Sequence, residues 1–198
     1  MIAERLLDVR NLSIEITTRH GPEPVVDGID LHVDKGETLG IVGESGCGKS
    51  LTMLSLVRLL PNKIRVAGGT AQFEGRNLLE LDRRQLRDIR GGRIGFVFQD
   101  PMTSLNPVMK IGAQLAEPLI HHRGMSKAAA WARAGELLKL TGVPGAEARL
   151  QSYPHELSGG MRQRVMSAIG VANNPKLLIA DEPTTALDVT IQAQIVDL

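Results

Sequence analysis

The chain has 198 residues, 42% of them hydrophobic and 23% charged, the balance of an ordinary globular protein. Its 23 basic residues stand against 22 acidic ones, for a net charge of +1, which excludes the basic footprint of a nucleic-acid binder. Cys47 is the only cysteine, so no internal disulfide can form and a reducing compartment is the natural setting.

In chain order, MIAERLLDVRNLSIEI carries charges inside its apolar pattern and lacks a signal-peptide core, while LLDVRNLSIEI alternates as a strand does. VVDGIDLHVDKGE continues with strands and a turn at Lys35-Gly36. ETLGIVG predicts a short strand ending in glycine. The KSLTMLSLVRLL that follows has helical periodicity up to Pro61, and at that length, interrupted by Arg58, it cannot span a bilayer. GGTAQFEGRNL predicts a hairpin, RRQLRDIR a short charged helix ended by Gly91-Gly92, and RIGFVFQD a core strand. After Asp100 the composition shifts. PMTSLNP is turn-rich, and IGAQLAEPLIHH and SKAAAWARAGELLKLTGV predict helices, so residues 101–172 form a helical lobe inserted into an α/β core. KLLIADEP returns to a strand whose apolar run suits burial on both faces, and TTALDVTIQAQIVDL opens a turn and a helix. No repeat or low-complexity segment interrupts this order.

Between the predicted strand and helix lies GESGCGKS, a match to G-x-x-x-x-G-K-[ST] over Gly43, Glu44, Ser45, Gly46, Cys47, Gly48, Lys49 and Ser50. Such a loop turns consecutive backbone N–H groups inward around a polyphosphate, and glycine is needed wherever a Cβ would block the turn or the ligand. The helix behind it adds its N-terminal partial charge. Lys49 is placed to reach the β- and γ-phosphates, and the Ser50 hydroxyl to ligate Mg²⁺. These features predict a nucleotide site. Cys47 within the loop is either a small residue that fits or a thiol activated beside a helix N-terminus.

LLIADEP supplies Asp181 and Glu182 as an apolar strand ends. A carboxylate there is suited to hold Mg²⁺ near the phosphate loop, and Glu182, one residue on, to polarise an attacking water as general base. The bland alternative is a pair of acids capping a turn. LSGGMRQR offers a second anion-binding loop, in which Ser158 can N-cap the helix MRQRVMSAIGV.

GESGCGKS, LSGGMRQR and LLIADEPTTALD together resemble the ATPase subunits of ATP-binding-cassette (ABC) transporters, over essentially the whole chain. FQDPMTSLNP and DEPTTALDVTIQAQI are similar to the subfamily serving importers of oligopeptides, dipeptides and, in some members, nickel. The resemblance implies an α/β fold: a P-loop NTPase core of ABC type with an antiparallel β subdomain and an inserted helical lobe. Residues 1–100 and 173–198 would form the nucleotide-binding core and residues 101–172 the helical subdomain with the signature motif. It further implies ATP and Mg²⁺ as cofactors, with Gln99 as the Q-loop glutamine, catalytic alongside Glu182 and a Mg²⁺ ligand with Ser50 and Asp181, and Asp188 as the D-loop acid. Ser158, Gly159 and Gly160 would meet ATP held by a partner subunit packed head to tail. Partners would include transmembrane permease subunits and, indirectly, an extracytoplasmic solute-binding protein. The location implied is peripheral, on the cytoplasmic face of a bacterial or archaeal membrane.

The adenine-stacking position of the family falls near His20 in TTRHGPEP, where the bland alternative is a solvated loop. The family also carries a γ-phosphate histidine after the next core strand. No histidine follows Asp181 here, so the sequence predicts a cassette cut short, with its C-terminal strands missing. The rival functions are a nucleotide-binding module without turnover and a soluble ABC ATPase of DNA repair or translation. The second usually has coiled-coil inserts or paired cassettes, and neither is present. A GTPase is disfavoured by the absence of N-K-x-D. His121-His122 is expected at a solvated helix end, RRQLRDIRGGR as a solvated face, and His155 as a support for the signature loop.

Overall fold

The computed structural model describes residues 4–182. It contains two compact units, Met1–Leu86 and Arg87–Leu198.

The first unit is built on an antiparallel sheet of order β2-β1-β3-β4, with β1 (Arg5–Thr18), β2 (Gly21–Asp34), β3 (Ile64–Phe73) and β4 (Arg76–Asn77). Along β1, Leu7 and Val9 and then Leu12 and Ile14 are buried, with Leu6 buried beside them at the strand's start, so the alternation changes parity midway. An inserted residue explains the change. Asn11 has φ 49, and the register of β1 shifts against β2 and β3 around it, so one extra residue keeps the apolar set on one face. The bulge is satisfied locally: Asn11 N–H donates to Asp30 Oδ1 at 2.7 Å and Gly28 N–H to Ser13 Oγ at 3.0 Å. Gly69, at φ +95, lies so close to Asn11 that a Cβ would collide with its carbonyl. Pro22 and Pro24 sit in β2, an edge strand of this sheet, where a missing N–H is tolerated.

Three expectations change here. TTRHGPEP is the tip of a tight hairpin: β1 runs on to Thr18 and β2 starts at Gly21. ETLGIVG has no strand assignment, and Leu39, Ile41 and Val42 are 42%, 42% and 93% exposed. Its apolar composition pointed to a strand, but a strand requires a hydrogen-bonded neighbour, and no ladder of the described residues includes it. The helix α1 (Lys49–Leu56) ends before Pro61. Arg58 takes φ 51, and the N–H groups of Arg58 and Leu59 bond Ser55 O and Leu54 O, both at 2.9 Å, which closes the helix as a Schellman motif.

A short helix, α2 (Arg83–Ile89), leads in sequence to the second unit. There β5 (Ile94–Val97) pairs in parallel with β6 (Leu177–Ala180), Val97 opposite Ala180. Between them the chain forms α3 (Pro101–Ser104), α4 (Ile111–Arg123), α5 (Lys127–Leu140), α6 (Ala146–Arg149), a 3₁₀ turn at Pro154–Glu156 and α7 (Gly159–Val171). A crossover of this length is what a parallel pair requires. Ile111, Leu115, Leu119, Ala130, Ala134, Leu137, Leu138, Val165 and Ala168 make the lobe a packed core. Ser126 caps α5 and Gly124 ends α4 at φ 64, as their residue types dictate. The expected two-sided burial of β6 is not met: Leu177 and Ile179 are buried, whereas Leu178 is 37% exposed. Its one neighbour in the described ladder is β5.

Candidate nucleotide site

In the phosphate loop, Gly46 (φ +83) and Gly48 (φ +93) occupy the left-handed region that favours glycine. Gly48 also packs on β2, where a Cβ would lie 2.7 Å from Val26 Cγ2, and a Cβ at Gly43 would lie 2.7 Å from Cys47 Sγ. Gly48 caps α1 by backbone alone. As a glycine it offers no side chain to cap the helix, and no acid lies in the first turn. The positive end of α1 therefore favours an anion. The Lys49 ammonium folds over the loop and donates to Gly43 O at 2.7 Å and Glu44 O at 2.8 Å, with Cys47 Sγ at 3.7 Å. A cation on two carbonyls beside an uncapped helix end is the donor set that a polyphosphate fits. Ser50 lies in the same first turn, half-buried. His20, at the hairpin tip of the same unit, is exposed and donates its N–H to Thr18 Oγ1 at 3.1 Å.

In the second unit, the parallel register of β5 and β6 acts two residues beyond the ladder. Asp181 N–H donates to Val97 O at 2.9 Å, and Gln99 Nε2 then donates to Glu182 Oε2 at 2.8 Å. Gln99 and Glu182, 83 residues apart, thus meet at the C-terminal edge of a parallel pair, where α/β proteins build their sites. Asp181 is 6% exposed, whereas Glu182 faces solvent with φ 48. Holding a non-glycine residue in the left-handed region costs on the order of 1 kcal/mol, and such residues cluster at functional sites. Among the described residues no group of three His, Cys, Asp or Glu gathers to hold a metal.

The signature loop is prepared by the turn before it. Tyr153 N–H donates to Glu156 Oε2 at 2.6 Å, His155 stacks on the Tyr153 ring at 5.6 Å, and Leu157 is buried. Ser158 Oγ then accepts from Met161 N–H at 3.3 Å and caps α7, as the sequence predicts. Gly159 opens the helix in the exposed surface, with nothing within 4 Å of its Cβ position, and Gly160 follows half-buried. Asp188 lies outside the described residues.

Sequence reasoning missed Asn173, which is 1% exposed and donates from Nδ2 to Gly91 O at 2.8 Å and Pro118 O at 3.3 Å. It ties the end of α7 to the turn that starts β5 and to α4. Its only sequence signal is a polar residue between an apolar helix and an apolar strand. His122 also departs from the solvated end expected. It is half-buried over the Gly91-Gly92 turn, where a Cβ at Gly92 would lie 3.1 Å from its Nδ1. Desolvation lowers its pKa, His121 lowers it further, and Asp88 opposes both.

The sequence pattern of the family described as ABC transporter matches residues 26–185. The chain belongs to the ABC transporter family.

Relatives agree closely along this chain. The probable peptide ABC transporter ATP-binding protein y4tR of Sinorhizobium fredii is 55% identical over 99% of this chain and 59% of its own length. The oligopeptide transport ATP-binding protein OppD of Bacillus subtilis is 54% identical over 98% and 54%, and the dipeptide transport ATP-binding protein DppD of Lactococcus lactis 50% identical over 100% and 57%. The chain therefore spans little more than half the length of these ABC relatives. Among solved structures, the fold matches the ATP-binding cassette MJ0796 in a dimeric post-hydrolysis state with ADP and Pi, with a TM-score of 0.87 and 31% identity over 97% of this chain and 80% of that one. The fold is thus the ABC cassette fold, an α/β P-loop architecture with an antiparallel sheet and a helical lobe. Among the described residues no helix is long and apolar enough to cross a membrane.

Proposed function

We propose that this chain binds and hydrolyses ATP as part of an importer of peptides or a related small solute. The observation that carries the nucleotide reading is the Lys49 ammonium held over the loop carbonyls beside the uncapped N-terminus of α1. The names and identities of the relatives support the peptide class. In this reading residues 1–100 and 173–198 form the nucleotide-binding core and residues 101–172 the helical subdomain. Gly43 to Ser50 embrace the phosphates, and His20 lies toward the adenine. Ser50, Asp181 and Gln99 would hold Mg²⁺, which when bound neutralises charge on the phosphates.

Glu182 orients a water and takes its proton. Gln99, which already donates to Glu182 Oε2, holds that carboxylate in place. Ser158, Gly159 and Gly160 present a hydroxyl and a helix N-terminus to ATP bound by a second ATPase subunit, packed head to tail, with Asp188 at that interface. The dimeric cassette neighbour supports this arrangement. ATP would shift the population toward the closed dimer, and hydrolysis would reopen it. The helical lobe would pass that motion to transmembrane permease subunits on the cytoplasmic side of the membrane. A solute-binding protein outside the membrane would deliver the cargo.

The test separates binding from turnover. ATP binding and phosphate release are measured for the wild type, Glu182→Gln and Ser158→Arg. Both variants are expected to bind ATP within about twofold of wild type while turnover drops by about 10² or more. Wild-type binding with no release above the Glu182→Gln level identifies a nucleotide-binding module instead. Loss of binding in Ser158→Arg means that the loop serves its own phosphate site.

A further inference from the structure

We infer that Arg162 is a positioning residue that ties the signature loop to the segment carrying Gln99. On α7, the Arg162 side chain turns back to the Ser158 carbonyl, with Nε at 3.5 Å, beside the ordinary helical bond from its backbone N–H at 3.0 Å. Its Nη1 reaches the Met102 thioether on α3, the helix that packs against α7. That helix is locked to the Gln99 segment: Asp100 Oδ1 accepts from Met102 N–H at 2.8 Å, and Asp100 O accepts from Ser104 Oγ at 2.8 Å. Gln99, next in the chain, donates to Glu182. A continuous line of hydrogen bonds and packed side chains thus runs from Ser158 through Arg162, Met102 and Asp100 to Gln99 and Glu182.

The geometry gives Arg162 a role that a shorter or uncharged side chain cannot fill. A long side chain is needed to touch both a carbonyl on its own helix and a side chain on another, and the forked guanidinium offers a separate donor to each. Met102 is 61% exposed, so core packing does not fix its place, whereas its N–H is held by the Asp100 cap. Movement of the Gln99 segment therefore displaces Arg162 and, with it, the Ser158 carbonyl at the mouth of the signature loop. In the head-to-tail dimer of the proposed function, on which this inference rests, the line joins the subunit's own phosphate site to the one it completes on its partner.

The intact protein is compared as wild type, Arg162→Ala, Met102→Ala, the double variant and Arg162→Lys. The readouts are ATP affinity, kcat with MgATP, and ATP-driven dimerisation in gel filtration. Arg162→Ala is expected to lower kcat about tenfold with ATP affinity within about twofold, because coupling between contacting residues is of this size. Met102→Ala lowers kcat less, the double variant is no worse than Arg162→Ala, and Arg162→Lys recovers part of the loss. Independent, multiplicative losses from the two alanine variants overturn the inference, as does a parallel loss of ATP affinity. A wild type that binds ATP without turnover counts against the proposed hydrolysis alone. The same pattern is then read in dimerisation, where its absence overturns the role of Arg162.

Discussion

Lys49 concentrates the chemistry of the first unit in one atom. Its Nζ is bonded to two loop carbonyls, so a bound phosphate must either share that ammonium or draw it away from Gly43 and Glu44. Charged hydrogen bonds of this kind contribute about 1.5 to 3 kcal/mol each. Lys49→Ala is accordingly expected to weaken ATP binding by about tenfold or more, measured by titration with a fluorescent nucleotide, while the unfolding midpoint in urea stays near wild type. The identity of this lysine was legible in the sequence because a phosphate loop is a local structure: its glycines, its lysine and its helix start lie within eight consecutive residues. The partner of Glu182 was not legible in the same way. Resemblance supplied a role for Gln99, but the hydrogen bond between the two depends on which strands are neighbours and in what register.

At the scale of elements, α7 joins the signature loop to β6 and packs on β5. The approach is closest where Gly95 faces Gly170: a Cβ at Gly95 would collide with the Gly170 carbonyl and lie 3.0 Å from Leu178 and Pro175 side chains. Gly95→Ala is expected to destabilise the protein by about 1 to 3 kcal/mol, because backbone rather than a flexible side chain would have to move. Equilibrium urea unfolding checks this, and an unchanged midpoint would mean that α7 and β5 can separate freely. The cap at the other end of α7 is a milder feature. Ser158→Ala removes the bond to Met161 N–H and is expected to cost about 1 kcal/mol in the same measurement. Caps such as Ser158, Ser126 and Gly124 could be read from residue type, since each satisfies groups within four residues of itself. The glycine pair could not, because Gly95 and Gly170 are brought together by the crossover.

For the molecule as a whole, His122 predicts a pH dependence of stability. Its pKa is lowered in the folded state, first by desolvation over the Gly91-Gly92 turn and then by His121, with Asp88 in opposition. Above the ordinary histidine value of about 6.5 both folded and unfolded chains hold the ring neutral. As pH falls through that value the unfolded chain takes up a proton that the fold resists, so stability is lost until the pH passes below the folded pKa. The thermal midpoint of the wild type is expected to fall between pH 7 and 5.5 by more than that of His122→Gln. Parallel curves for the two would show that the ring is not the group responsible.

Resemblance supplied the α/β cassette class, whereas the sequence by itself determined the phosphate loop, the helix caps, the acidic end of β6 and the helices between β5 and β6. Each of these is written in short spacings or in a long run of one periodicity, where local sterics and hydrogen bonding suffice. Tertiary structure alone decided that Asn11 bulges to keep β1 one-sided, that TTRHGPEP closes a hairpin, and that ETLGIVG forms no ladder among the described residues. It alone brought Gln99 to Glu182 and Arg162 to Met102. Those outcomes depend on pairing partners and packing neighbours dozens of residues away, and a side chain carries no local record of which distant surface it will meet.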